Sequence, residues 1–223
     1  MAKTTACEVV LVRHAHSTAN LKGVLAGRDN RVALSPRGRQ EALDLAQVLN
    51  TMEFDGLYSS PLRRCKETLV PYLQGRSEPL HLVDDLLEME YGSWSGKALA
   101  TLARNDLWKT IQNRPSLVRF PEGESFTEMS LRANRAVLDL AAKHRRILIL
   151  SHGDVIKSIV AFHLGVHLDQ FQRISIDPAS ITRIMVPSSQ VIQVNQTAHL
   201  TKSGDSKRVK RDRFHLGGGA GNL

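Results

Sequence analysis

Residues 9–20 read VVLVRHAHSTAN, and residues 146–154 answer them with RILILSHGD. In each, a short apolar run stops at a histidine, His14 in the first and His152 in the second, and continues into small or polar residues. An unbroken apolar run of that length is the pattern of a strand buried on both faces of a parallel sheet. A side chain at the carboxyl end of such a strand sits at the edge of the crevice where open α/β sheets bind ligands. Two histidines so placed, one with Arg13 beside it, predict a pocket for a phosphoryl group.

Outward from these two runs, strand and helix signals alternate. Residues 7–12 read as the first strand and 13–33 as a long loop without helical periodicity, a length that itself points to function. Ser35 as cap and Pro36 at the first helical position open a helix with Ala42, Leu45, Ala46 and Leu49 on one face. Strand 56–59, a helix over 62–73, an extended stretch 80–87 ending at Glu88, and a helix over 97–109 follow. Ser125 and Glu128 form a capping box ahead of a helix with Met129, Ala133, Ala136, Val137 and Leu140 on one side. Strand 146–150, helix 154–164, and a terminal hairpin of 181–186 and 190–194 around Pro187-Ser188-Ser189 complete the reading. The alternation predicts a three-layer α/β/α sandwich with a mostly parallel central sheet. One domain is expected over 1–199, with 92–126 as a cap over the site and 200–223 as a basic, Gly-rich, disordered tail.

Composition narrows the function classes. The chain has 223 residues, 42% hydrophobic and 23% charged, ordinary for a globular protein. No stretch approaches the roughly 18 apolar residues of a membrane helix. The amino end lacks the layout of a signal peptide, so a cytoplasmic location is expected. The net charge is +8, but residues 201–213 alone carry six basic side chains against Asp205 and Asp212. Half of the excess thus sits in a short tail, which argues against a specific nucleic-acid surface. Cys7 and Cys65 match no metal or redox spacing. His163 and His167 are four apart but lack companion ligands, so no metal site and no cofactor are predicted.

Phosphoryl transfer requires an aligned nucleophile, positive charge on the nonbridging oxygens and a proton for the leaving group. His14 is the candidate nucleophile, one ring nitrogen attacking while the other is fixed by a backbone carbonyl. Arg13 offers a fork of donors to phosphate oxygens, and Ser17 and Asn20 lie where a loop could return them as neutral donors. Ser59-Ser60-Pro61-Leu62-Arg63-Arg64 again places arginine just past a strand end, with one of the two arginines pointing inward. A protonated His152 would add charge and a hydrogen bond, and the amides from Gly153 onward open a helix whose amino end favours anions. Glu88 or Glu90 is the candidate acid, since a partly desolvated carboxyl beside a dianion holds its proton near neutral pH.

These motifs resemble, in order, those of the histidine phosphatase superfamily, also called phosphoglycerate mutase-like. The Arg-His-Gly signature stands as Arg13-His14-Ala15, with the Ser17 and Asn20 positions intact. LSPRGRQEA (34–42), SSPLRRCKET (59–68), LLEMEYGSWSG (86–96), PEGESF (121–126) and SHGD (151–154) match further segments, and the resemblance spans about 9–194. It picks Arg64 over Arg63 and Glu88 over Glu90. It implies a phosphohistidine at His14, with Arg13, Arg64 and His152 around the phosphate and Glu88 as proton donor; Ser17, Asn20 and Gly153 stand as phosphate contacts on the reading of the residues alone. Ala15 replaces glycine, which a negative φ would accommodate, and Cys65 stands where alanine is usual. The region between Glu88 and His152 is short, and with the tryptophan of GSWSG it resembles the phosphatase branches. The glycine-rich end resembles a group of actinobacterial members described as phosphomutases.

The resulting expectation is a metal-independent phosphatase of small phosphorylated metabolites, working through phosphohistidine. A phosphomutase would use the same residues. A binding module that keeps only the anion pocket would need neither nucleophile nor acid. No membrane or specific nucleic-acid partner is expected, and a homodimer is compatible with the sequence.

Overall fold

Among the described residues six strands form one sheet: β1 (Cys7–Arg13), β2 (Gly56–Ser59), β3 (Leu80–Leu82), β4 (Arg146–Ser151), β5 (Ile181–Val186) and β6 (Gln190–Gln196), in the order β3-β2-β4-β1-β5-β6. The computed structural model describes residues 6–200 and residue 216. The first four strands in that order run parallel, while β5 and β6 add an antiparallel edge. Seven α-helices accompany them among the described residues: α1 (Thr18–Lys22), α2 (Pro36–Leu49), α3 (Arg63–Leu73), α4 (Leu99–Leu102), α5 (Asp106–Asn113), α6 (Phe126–Ala141) and α7 (Gly153–His163).

The pleat divides the apolar runs between two cores. Val10 and Val12 of β1 join Leu57, Leu148 and Leu150 against α2 and α3. Val9 and Leu11 join Ile147 and Ile149 against α6 and α7. Each fully buried Val, Leu or Ile side chain contributes about 1.5–3 kcal/mol, so this double burial rather than local propensity holds a strand as short as the four-residue β2. The result is the predicted α/β/α sandwich with a mostly parallel sheet.

The site follows from the connections. β1 and β4 are neighbours with Arg13 opposite Ser151, yet β1 leads to α2 on one face and β4 to α7 on the other. Adjacent strands whose chains leave toward opposite faces open a crevice at their carboxyl ends. The register places Arg13-His14, Ser59-Ser60 and Ser151-His152 along one sheet edge, with His14 N–H donating to Ser151 O (3.0 Å) and Ser60 N–H to Leu150 O (2.9 Å).

Three stretches depart from expectation. The long loop after His14 contains α1, capped by Ser17, which accepts from the Asn20 amide while the Asn20 side chain accepts from Ser17 N–H. Stretch 80–87 is extended only as far as Leu82. Asp84–Leu86 then turns in a 3-10 helix that buries Leu86. Helix 97–109 is two helices, because the Asn105 side chain accepts from Leu107 N–H and caps α5 afresh. The segment read as a cap packs Trp94, Trp108, Phe120 and Phe126 into the α6/α7 core, and its residues 96–99 pair with loop 23–25. The tail read as disordered lies outside the described residues, except Leu200 and Leu216. No helix among the described residues is long and apolar enough to cross a membrane.

Candidate functional site

Beyond β1 the chain RHAHS is pinned from three sides. Ala15 N–H donates to Thr68 Oγ1 of α3 (3.0 Å), His16 N–H to Glu41 Oε2 of α2 (2.8 Å), and Ser35 N–H to His16 O (2.9 Å). At Gly38 a Cβ would stand 1.9 Å from His16 O, so only glycine lets α2 approach this closely. Ala15 is not among the residues of positive φ, so alanine fits its place without strain.

His14 is therefore held from both ends. Its Nδ1 lies 2.8 Å from Ala15 O. A carbonyl only accepts, so the proton is on Nδ1 and Nε2 carries the lone pair. Nε2 takes no hydrogen bond among the described residues, and His14 lines a pocket of about 390 Å³, open space at its mouth included. Burial, and then the charges of Arg64 and Arg13, hold its pKa well below 6.5. The ring is neutral at physiological pH, as an attacking imidazole must be.

Arg64, on the first turn of α3, lines the same pocket and is buried. Its Nη2 donates to Gly27 O (2.8 Å) and to His152 Nδ1 (3.1 Å), while Nε is buried without a partner among the described residues. Arg63 turns outward to Glu67 (2.6 Å). Arg13 is fully buried and donates to Ile176 O (2.6 Å). It stands behind the pocket wall, where its charge reaches His14 through a short path of low dielectric.

His152 caps α7, and its ring meets that of His14 edge-on, with centroids 5.3 Å apart. Because Arg64 always donates, Nδ1 of His152 accepts and Nε2–H faces Ser60 Oγ (2.8 Å). Burial and the Arg64 charge push its pKa well below 6.5. His152 is here a neutral ring wedged between Arg64 and Ser60. It lies behind the wall, as does Gly153 at the start of α7.

Ser17 and Asn20 both line the pocket, but their roles differ from the reading as paired donors. The Ser17 hydroxyl donates to Asn20 Oδ1 (2.8 Å), so its proton is spent on the α1 cap. That bond turns the Asn20 carbonyl inward to the cap and leaves its NH2 as the donor of the pair.

Glu88 lines the pocket, 3% exposed, with Oε1 accepting from Met89 N–H (3.0 Å). Burial, reinforced by the negative charge of Asp154, raises its pKa to about 7 against the pull of Arg64 and Arg13. Glu90 points to solvent and pairs with Arg28 (3.0 Å). Behind Glu88 lies a buried cluster that sequence reasoning missed: Tyr91 Oη donates to Asp154 (2.7 Å), which pairs with Lys157 (3.3 Å). Thr68, Glu41, Arg28, Arg132 and Leu216 were also not singled out. Leu216, 1% exposed, completes an apolar wall with Leu25 and Leu99, and nothing in its flanking GlyGly repeat signals that place. Glu124 bonds Arg28 and Arg132 rather than entering the pocket. Cys65 lies beneath His152, 3.5 Å from Nε2, and burial pushes its thiol up to about 12. No cluster of three or more metal-ligating side chains occurs among the described residues.

A neutral imidazole, a buried guanidinium with an unmatched donor and a carboxyl titrating near neutrality thus share one small pocket. Comparisons with known proteins give the family. A sequence model of the histidine phosphatase superfamily (branch 1) matches residues 9–197. Phosphoserine phosphatase 1 of Hydrogenobacter thermophilus is 28% identical over 200 residues, covering 86% of this chain and 94% of that protein. The adenosylcobalamin/alpha-ribazole phosphatase of Salmonella typhimurium is 30% identical over 159 residues, 68% of this chain and 76% of that one. The phosphoserine phosphatase of Entamoeba histolytica, solved with 3-phosphoglyceric acid, superposes with a TM-score of 0.78 at 25% identity, covering 87% of this chain and all of that one. The chain belongs to the histidine phosphatase superfamily, branch 1.

Proposed function

We propose that the protein is a metal-independent phosphatase that hydrolyses small phosphate monoesters through a phosphohistidine at His14. The observation that carries this reading is the state of the His14 ring: neutral, fixed at Nδ1 by Ala15 O, with Nε2 free in a pocket shared with Arg64 and Glu88. Nε2 attacks phosphorus as the ester P–O bond breaks, and the departing oxygen takes the Glu88 proton to leave as the alcohol. Water then attacks the phosphohistidine, Glu88 takes back a proton, the P–N bond breaks and inorganic phosphate departs. Arg64 and the Asn20 NH2 hold the nonbridging oxygens, and from behind the wall Arg13 adds its field and the amino end of α7 at Gly153 its positive dipole end. His152 sets the Arg64 fork in place and Ser17 sets Asn20. Residues 92–126 roof the pocket, contributing Leu99.

The relatives named for phosphoserine and alpha-ribazole phosphatase support a small phosphorylated metabolite as substrate. A panel of such esters, scored for inorganic phosphate with phosphoglycerate mutase activity run alongside, tests the reading. Phosphate release with a preference among the esters is expected. Transfer to a second hydroxyl without release, or no turnover of any ester, overturns it.

A further inference from the structure

Glu88 is held less by its own side chain than through its backbone. Its carbonyl oxygen accepts from Arg28 Nε (3.0 Å) and from Arg132 Nη2 (3.2 Å). Arg132 Nη1 also gathers Asp85 O (2.7 Å) and Leu87 O (2.8 Å), so one guanidinium ties down the whole turn that leads into the acid. Between the two arginines lies the Glu124 carboxylate. Oε1 accepts from Arg28 Nη2 (3.0 Å), Arg132 Nη2 (2.7 Å) and Glu90 N–H (2.8 Å), and Oε2 accepts from Arg132 Nε (2.9 Å). Burial works against the Glu124 anion, but its bonds to Arg132 and Arg28 keep its pKa below the ordinary value. The Glu124 segment is locked to the Glu88–Glu90 stretch by Glu124 N–H on Glu90 O (3.0 Å) and Ser93 N–H on Pro121 O (3.0 Å), a closeness that Gly92, at φ +51°, permits.

The same loop faces the phosphate side of the pocket. Gly27 O, one residue before Arg28, accepts from Arg64 Nη2 at 2.8 Å. Loop 27–28 therefore grips Arg64 with its backbone and Glu88 with its side chain. None of Arg28, Glu124 and Arg132 lines the pocket.

We infer that Glu124, clamped between Arg28 and Arg132, is a positioning residue that sets Glu88 at proton-donating distance from the leaving oxygen and fixes that distance relative to Arg64. This rests on Glu88 being the acid. A general acid must stand within about 2.6–3.2 Å of the oxygen it protonates, and a displacement of about 1 Å costs roughly 100-fold. The cost falls only on substrates whose leaving group needs the proton. p-Nitrophenolate departs unprotonated, whereas phenolate and alkoxides do not depart readily without it.

The test compares kcat/KM for p-nitrophenyl phosphate, phenyl phosphate and β-glycerophosphate in the full-length wild type, Glu88→Gln, Glu124→Gln and Arg28→Ala. Glu124→Gln keeps the shape and weakens both arginine contacts, while Arg28→Ala touches a half-exposed loop residue and serves if the first variant is unstable. The expected result is a loss of about threefold on p-nitrophenyl phosphate but about 30- to 100-fold on the poorer leaving groups, parallel to a steeper trend in Glu88→Gln. An equal loss on all three substrates, or none, in both clamp variants while Glu88→Gln is selective overturns the positioning role alone. If Glu88→Gln itself is unselective, Glu88 is not the acid and the inference falls with it.

Discussion

Gly38→Ala places a single methyl group where α2 crosses the RHAHS segment. The new Cβ would lie 1.9 Å from His16 O and 2.8 Å from His16 C, both backbone atoms that cannot rotate away. Real Cβ contacts essentially never fall below 3.0 Å, so helix and segment must separate by about 1.1 Å. That movement stretches the bonds from Ser35 N–H to His16 O (2.9 Å) and from His16 N–H to Glu41 (2.8 Å). Two buried bonds, one of them to a carboxylate, are worth about 2–4 kcal/mol together. His14 lies two residues upstream on the same pinned segment, and a nucleophile displaced by about 1 Å loses roughly 100-fold in rate. The variant should therefore lose about 100-fold in kcat/KM on an aryl phosphate, with a lowered denaturation midpoint. Activity should fall even at temperatures where circular dichroism reports full folding. A folded Gly38→Ala protein with wild-type kcat/KM would refute the claim that this close approach sets His14.

Other consequences follow from the charges around the pocket. Glu88 must be protonated to donate, and its pKa is raised to about 7, so kcat/KM for an alkyl phosphate should hold below that pH and fall about tenfold per unit above it. His14, with its pKa well below 6.5, adds no acidic loss near pH 6, and Glu88→Gln should abolish the alkaline fall while lowering the rate. Arg64→Ala should cost about 100- to 1000-fold, the scale for one preorganised donor to a transition-state oxygen. Arg63→Ala, which loses only an exposed pair with Glu67, should stay within about twofold. Cys65, buried with its thiol pushed up to about 12, should resist iodoacetamide at pH 8 in the native protein and react only after denaturation, as read by intact mass.

Much of this site was legible because buried parallel strands end abruptly. The runs before His14 and His152 fix both the sheet and the edge at which those rings stand, and one register then aligns Ser60 with them. Helix α2 was readable from Ser35 and Pro36 because cap chemistry is local. What sequence reasoning missed depends on contacts made across the fold. Stretch 80–87 carries a strand's composition, but the Asp84–Leu86 turn is imposed by Arg132 and Ser151, which bond to carbonyls of residues 85–88 from distant elements. Helix α1 went unread because its cap pairs Ser17 with Asn20 rather than with Glu or Gln. The neutral state of His152 lies beyond the sequence for a related reason. A strand-end histidine near an anion site suggests a cation, but the Arg64 donor that occupies Nδ1 is visible only in three dimensions. Glu124 sits in a motif whose place beside Glu88 no spacing reveals, since it depends on two loops meeting at Gly92.

The central claim is that His14 Nε2 takes the phosphoryl group. Acid-free quenching of a reaction with phosphate-labelled ester, followed by peptide mapping, tests it most directly. The wild type should carry an acid-labile, base-stable label on the peptide containing His14, and His14→Ala should carry none and should not turn over. Label on another residue, or sustained hydrolysis by His14→Ala, would contradict it.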